Sequence, residues 1–105
     1  MRARLLLETK ESAPNNGIIH IRIWQLPHLT AERPHGLKYS LFYGKSGERI
    51  IGYDNERGKG DHRHYRDHEE PYTFVDIQTL LIEFRRDVAK EISHERDHLE
   101  REDRR

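Results

Sequence analysis

The sequence predicts an α+β fold, with an antiparallel sheet of four or five strands packed by one long C-terminal helix. Two observations predict it. In the first half, apolar and polar residues alternate over short segments separated by turn-forming residues, which is typical of strands with one buried face. After Asp76, large apolar residues recur at intervals of three and four, which is the period of an amphipathic helix.

Each strand is predicted from this alternation and from its flanking turns. The clearest is 18–24, where Ile19, Ile21 and Ile23 share one face, while His20, Arg22 and Trp24 share the other. Asn-Asn-Gly at 15–17 favours the positive φ of a hairpin turn, and 44–47 reads as a second tight turn. The predicted strands are 2–8, 18–24, 37–43, 49–53 and, after a loop, 71–75.

The C-terminal helix is predicted to begin after Asp76, whose carboxylate can accept hydrogen bonds from the free amides of the first turn. Its apolar stripe, expected to cover the sheet, consists of Ile77, Leu80, Leu81, Phe84, Val88 and Ile92. Beyond this stripe Leu99 is the one large aliphatic residue. We therefore predict a single domain over residues 1–92, followed by a charged helical extension or disordered tail over 93–105.

The composition limits the class of protein. The chain has 105 residues, of which 33% are apolar and 36% charged, so it can form one domain with a thin core. It has no cysteine, which excludes disulfides and thiolate metal sites. No apolar stretch approaches the roughly 18 residues that a membrane span needs. We therefore expect a soluble, cytoplasmic protein with no membrane partner.

Charge is unevenly distributed along the chain. Lys and Arg balance Asp and Glu overall, at 19 each, but residues 1–50 contain eight basic and four acidic residues, a balance of +4. Such a basic half is compatible with a phosphate-bearing partner.

The most unusual segment is 53–70, which we predict to be a loop presented by the sheet. It holds three histidines, four basic residues and six carboxylates. Histidine exchanges protons near neutrality, and metal-free RNA cleavage needs a base, an acid and cations beside the phosphate. The predicted catalytic residues are His62, His64, Lys59 and Asp61. The predicted substrate-binding residues are Arg57, Arg63, Asp54, Asn55 and Tyr53. No metal or other cofactor is assigned.

Two other interpretations of this segment stay open, and a third is disfavoured by the sequence pattern. It could be a solvated, charge-balanced loop whose histidines are merely exposed. It could bind a divalent metal through His62 and His64 with Asp61, Asp54 or His68. The Gly58-Lys59-Gly60 sequence could approach a phosphate, but the strand, longer glycine-rich loop and helix of a nucleotide-binding loop are absent from the sequence pattern.

A second candidate surface is the face of the sheet that carries His20, Arg22 and Trp24, with Lys38, Ser40 and Phe42 on the next strand. Basic residues interleaved with aromatics can bind single-stranded nucleic acid. The same pattern also fits an open face awaiting a partner, or one covered by the tail. The alternative to an enzyme is therefore a non-enzymatic module that binds nucleic acid or protein through this face and the His-rich loop.

The loop also resembles a known family. The run from Tyr53 to His64 (YDNERGKGDHRH), followed by EEPYTFV at 69–75 and the helix, is similar to the TumE-type toxins of bacterial toxin–antitoxin modules. The likeness extends through 24–27 and 36–43 and covers roughly residues 1–90. The residues that match the family's signature are Tyr53, Asp54, Asn55, Gly58, Lys59, Gly60, Asp61, His62 and His64.

The resemblance implies a growth-inhibiting toxin of a type II system. It implies a cognate helix-turn-helix antitoxin as partner, with operator DNA bound only through that antitoxin, in a cytoplasmic complex. Combined with the chemistry of the loop, it predicts a metal-independent ribonuclease that acts on RNA.

Overall fold

A computed structural model describes residues 2–56 and 58–103 of the chain. These residues form an antiparallel sheet and one long C-terminal helix, which confirms the predicted α+β class. The chain divides into two compact units, Met1–Phe74 and Val75–Arg105. The first unit contains the sheet and the second contains the helix.

The sheet has six strands among the described residues, rather than the predicted four or five. Each strand pairs antiparallel with the next one along the chain, so the spatial order equals the sequence order. The first four correspond to the first four predicted strands. The strands are β1 (Arg4–Ser12), β2 (Ile18–Gln25), β3 (Leu37–Lys45), β4 (Glu48–Asp54), β5 (His62–Tyr65) and β6 (His68–Pro71).

The two predicted turns are confirmed. Asn16, between β1 and β2, has a φ of 67°, a left-handed conformation that asparagine tolerates. Ser46 and Gly47 connect β3 to β4 with φ values of 54° and 78°. Positive φ at both central residues is the mark of a type I′ hairpin turn, whose twist matches that of the flanking strands.

The interpretation of 53–70 as a loop is wrong for its second half, which forms the β5–β6 hairpin. The predicted strand at 71–75 is also wrong, since β6 ends at Pro71 and residues 72–76 have no regular structure. Polar or amphipathic residues lie on both faces of β5, so hydropathy did not reveal its alternation. Pairing with β4 and a turn at Arg66, with φ 53°, define the hairpin.

The strand register gives the sheet an apolar and a polar face. Cα partners on adjacent strands project their side chains from the same face. The apolar face contains Ile19, Ile21, Ile23, Tyr39, Leu41, Tyr43, Ile51 and Tyr53, all of which are buried. The polar face contains His20, Arg22, Trp24, Lys38, Ser40, Phe42, Gly52, Asp54, His62 and His64.

The helix α1 spans Ile77–Asp103, so residues 93–103 form a helical extension. Arg104 and Arg105 lie outside the described residues, and the predicted domain boundary after residue 92 stays a prediction. As predicted, Asp76 caps the helix: its Oδ1 accepts a hydrogen bond of 2.7 Å from the backbone N–H of Thr79. The helix buries three members of the predicted stripe, Leu80, Phe84 and Val88. Within the described chain, no helix has the length and apolarity needed to cross a membrane.

Candidate functional site

The polar face contains a cleft of about 240 Å³ at the end of β4 and the start of β5. Three of the residues predicted from the sequence line it, together with three that were not predicted. The lining residues are Arg49, Asp54, Glu56, Lys59, His64 and Glu69. The cleft therefore brings a histidine, two cations and three carboxylates into one concave surface.

His64 lies between an acceptor and a donor. Its Nε2 is 3.2 Å from Asp54 Oδ2, and its Nδ1 is 3.1 Å from the Nη2 of Arg49. A guanidinium can only donate, so Nδ1 accepts and Nε2–H donates to Asp54, which is the neutral imidazole. The residue is 7% exposed, and these two contacts hold its ring in one orientation.

Arg49 reaches His64 because residue 52 is a glycine. A Cβ at Gly52 would lie 2.9 Å from Cδ of Arg49, so the arginine side chain lies against the backbone of β4. From there its Nη1 is 3.8 Å from Asp54 Oδ2. Sequence reasoning missed Arg49, although a glycine inside a strand often marks a place where another group approaches the backbone closely.

His62 lies on the same face as His64, two residues earlier in β5, which separates their Cα atoms by about 6.6 Å. Its Nδ1 is 3.0 Å from the carbonyl oxygen of Gly60, and its Nε2 is 3.6 Å from Oε1 of Glu69. Both nitrogens thus face oxygen acceptors. Nδ1–H of His62 therefore donates to the carbonyl of Gly60, while the 3.6 Å separation from Glu69 is too long for a hydrogen bond. His62 is not among the residues that line the cleft.

Lys59 lies in the turn between β4 and β5. Its backbone N–H donates to the carbonyl of Glu56 over 3.2 Å, and its side chain is exposed at the cleft. Within residues 2–56 and 58–103, no carboxylate lies within ion-pair distance of its ammonium group. The ammonium group is therefore available to an incoming anion.

Asp61, predicted to be catalytic, contacts a different set of groups. The hydroxyl of Tyr39 donates to its Oδ1 over 2.6 Å, and Nε2 of His35 lies 3.1 Å from the same oxygen. His35 Nδ1 accepts from the backbone N–H of Leu37, so its Nε2–H is the donor to Asp61. Burial and the bond to Asp61 raise the pKa of Tyr39. Asp61 thus ties the β4–β5 connection to β3, and it does not line the cleft.

Two other predicted site residues are buried. Asn55 accepts from the N–H of Tyr39 over 3.0 Å and donates to the carbonyl of Leu37 over 2.8 Å, so its side chain continues the pairing with β3 beyond Asp54. Tyr53 is fully buried on the apolar face, with Cζ of Arg63 5.7 Å from its ring centroid. Asn55, Tyr53 and Arg63 do not line the cleft.

The last predicted substrate-binding residue, Arg57, lies outside the described residues. For the metal-binding alternative, no group of three or more histidines and carboxylates in the described part of the chain is arranged to hold a metal ion.

Trp24 lies on the same polar face, between two cations. Cζ of Arg22 is 5.4 Å from its ring centroid, and Nζ of Lys38 is 5.3 Å from it. Register places Trp24 opposite Lys38, and Arg22 opposite Ser40, which is in turn opposite Asp54. The aromatic and basic surface predicted from the sequence is therefore continuous with the cleft.

These observations define the class of protein: it is small, has one sheet and one helix, and carries a charged cleft on one face of the sheet. A family model described as toxin TumE matches residues 2–92, and the chain belongs to this toxin family. The predicted resemblance is therefore confirmed. The chain is a toxin of a toxin–antitoxin system, and its partner is a cognate antitoxin. No curated protein and no solved structure matches it.

Proposed function

We propose that this toxin is a metal-independent ribonuclease and that the reaction takes place in the cleft around His64. The observation that carries the proposal is the position of His64 between Asp54 and Arg49. A histidine whose one nitrogen is held by a carboxylate can use its other nitrogen as a general base. The carboxylate then stabilises the imidazolium that forms.

In the proposed reaction, Nδ1 of His64 takes the proton of an RNA 2′-hydroxyl. The 2′-oxygen attacks the adjacent phosphorus, and the bond from phosphorus to the 5′-oxygen breaks. His62, on the same face of β5 as His64, is assigned as the protonated histidine that donates a proton from Nε2 to that departing oxygen. The products are a 2′,3′-cyclic phosphate and a 5′-hydroxyl.

Cations for the phosphate would come from Arg49 and Lys59. In the structure Arg49 donates to Nδ1 of His64, so a bound phosphate must attract the guanidinium away before that nitrogen can accept a proton. Bidentate contact with a phosphate suits a guanidinium. Binding of substrate and activation of the base would thereby occur together.

These roles revise the predicted set. His62, His64 and Lys59 keep their proposed catalytic roles, Asp54 holds the base, and Arg49 joins as a phosphate ligand. Asp61, Asn55 and Tyr53 are assigned instead to holding the strands in place, because their contacts are internal.

The nature of the partner is also a proposal. The expected antitoxin is a helix-turn-helix protein through which the complex meets operator DNA, and the expected location is the cytoplasm, where such a complex would meet both RNA and DNA. These expectations come from the family resemblance, and the cleft supports only the RNA chemistry.

Cleavage of a defined RNA and of a DNA of the same sequence, each with EDTA, tests the activity. Wild-type protein should cut the RNA alone. His64→Gln can still donate to Asp54 but cannot take a proton, so we expect cleavage to fall by a factor of about 100 to 10,000.

The matched control is His68→Gln, which makes the same change in the same hairpin but on the apolar face. It should cut RNA at the wild-type rate. Equal activity of His64→Gln and wild type would contradict the assignment, and loss of activity in EDTA would indicate a metal-dependent nuclease. If no folded variant cuts RNA or DNA, the non-enzymatic binding module is the better interpretation.

A further inference from the structure

We propose that the polar face around Trp24 is a binding track for single-stranded RNA that leads into the cleft. This inference rests on the proposed ribonuclease function, and it specifies the substrate as unpaired RNA. It is carried by two cations beside Trp24 that have no carboxylate partner among the described residues, and by the position of Trp24 on the strand face that also holds Asp54 and His64.

The surface around Trp24 carries two cations. Arg22 and Lys38 flank its indole ring, and no carboxylate among the described residues lies within ion-pair distance of either one. Glu8, the Cα partner of Arg22, lies on the same face, but its Oε2 is 3.2 Å from Nε2 of His20, so it does not neutralise the two cations. Phosphates would supply the missing counter-charge.

The ring of Trp24 is the second feature of this surface. Trp24 is only partly buried, and it lies on the polar face instead of packing with the isoleucines of its own strand. Proteins bind single-stranded nucleic acid through aromatic rings that lie between cations. Each base can stack on such a ring, while the cations contact the phosphates on either side. A duplex does not offer its bases for stacking in this way.

Trp24 also lies close enough to the cleft for one RNA strand to reach both. Trp24 is separated from Asp54 by two strand spacings across the sheet and two residues along β2. At the usual spacings of a sheet this corresponds to about 12 Å between their Cα atoms. A few nucleotides of extended RNA span such a gap, so a base on Trp24 and a phosphate in the cleft can belong to the same strand.

Trp24 is the single tryptophan of the chain, so its own fluorescence reports on the track. The probe is an oligoribonucleotide with 2′-O-methyl groups, which cannot undergo attack by a 2′-hydroxyl. Titration into wild-type protein should quench the tryptophan emission, with weaker binding as salt is raised. The same oligonucleotide annealed to its complement should quench far less.

Variants distinguish binding at the track from a general effect of the protein's charge. Lys38→Gln should weaken binding several-fold and lower the salt dependence by about one counterion. Lys90→Gln, the same change on the helix, should bind as wild type does. Trp24→Leu, followed by the anisotropy of a labelled oligonucleotide, should bind about tenfold more weakly because it cannot stack.

The outcomes distinguish the inference from the proposed function. Cleavage of unmodified RNA by a protein whose tryptophan shows no quenching would overturn the track and leave the ribonuclease standing. Quenching without cleavage would support the track and overturn the ribonuclease. Equal binding of duplex and single strand, or quenching by the cognate antitoxin but not by RNA, would overturn the track and identify a different ligand for this face.

Discussion

Among individual residues, the chemistry of the cleft depends on the direction in which each side chain points. His62 and His64 could be predicted to share a face, because they are two residues apart in an extended segment. The direction of Asp61 could not, since its partners Tyr39 and His35 are 22 and 26 residues away. Arg49 could not be placed either, because its role depends on pairing between β4 and β5.

Tyr39→Phe tests whether Asp61 is structural. The change removes the 2.6 Å hydrogen bond and leaves a mostly buried carboxylate oxygen with one donor fewer. We expect the free energy of unfolding, measured with urea, to fall by about 1–3 kcal/mol. RNA cleavage by the folded variant should be unchanged.

The matched control for this prediction is Tyr65→Phe, at a ring that is 44% exposed, where the loss of stability should be smaller. If Tyr39→Phe instead keeps its stability and loses cleavage, Asp61 belongs to the catalytic set after all.

At the scale of elements, the helix was predictable and the last hairpin was not. Asp76 indicates where α1 begins, and the three- and four-residue spacing indicates which of its faces holds the buried Leu80, Phe84 and Val88; both are local signals. The β5–β6 hairpin lacks such signals, because its residues are charged or aromatic on both faces and its turn contains neither glycine nor proline. Pairing with β4 stabilises the hairpin although its residues have only a weak intrinsic preference for strand.

The capping of α1 has a pH dependence. Hydrogen bonds from the backbone N–H of Thr79, and then from its hydroxyl, hold the pKa of Asp76 below its usual 3.8. The carboxylate therefore stabilises the folded state above pH 3.8, and this contribution disappears as the pH falls through the lower folded value.

Asp76→Ala should accordingly lower the thermal unfolding temperature at neutral pH, and the difference from wild type should shrink in acid. Circular dichroism at 222 nm measures both. Asp97→Ala, inside the same helix, should show no comparable loss at neutral pH. A difference for Asp76→Ala that persists unchanged in acid would show that the charge of the cap is not responsible.

In the molecule as a whole, the polar face of the sheet contains both the Trp24 surface and the cleft around His64, which are separate features of the sequence. Trp24 and His64 are 40 residues apart in the chain, yet the register of β2, β3, β4 and β5 places them on one face. Composition and alternation predict each surface. Only the order of the strands shows that they adjoin.

This arrangement predicts a protein that holds an unpaired RNA strand across the sheet and cuts it in the cleft. A cognate antitoxin that covers the polar face would block both steps at once. The proposed function depends on one step, the attack of a 2′-hydroxyl, activated by His64, on the neighbouring phosphate.

This step can be tested with one single-stranded oligonucleotide in two forms, with and without the 2′-hydroxyl beside the cut bond, in the presence of EDTA. We expect cleavage of the hydroxyl form alone, with a 2′,3′-cyclic phosphate on the product. Cleavage of the deoxy form, or of neither form by folded protein, would contradict it.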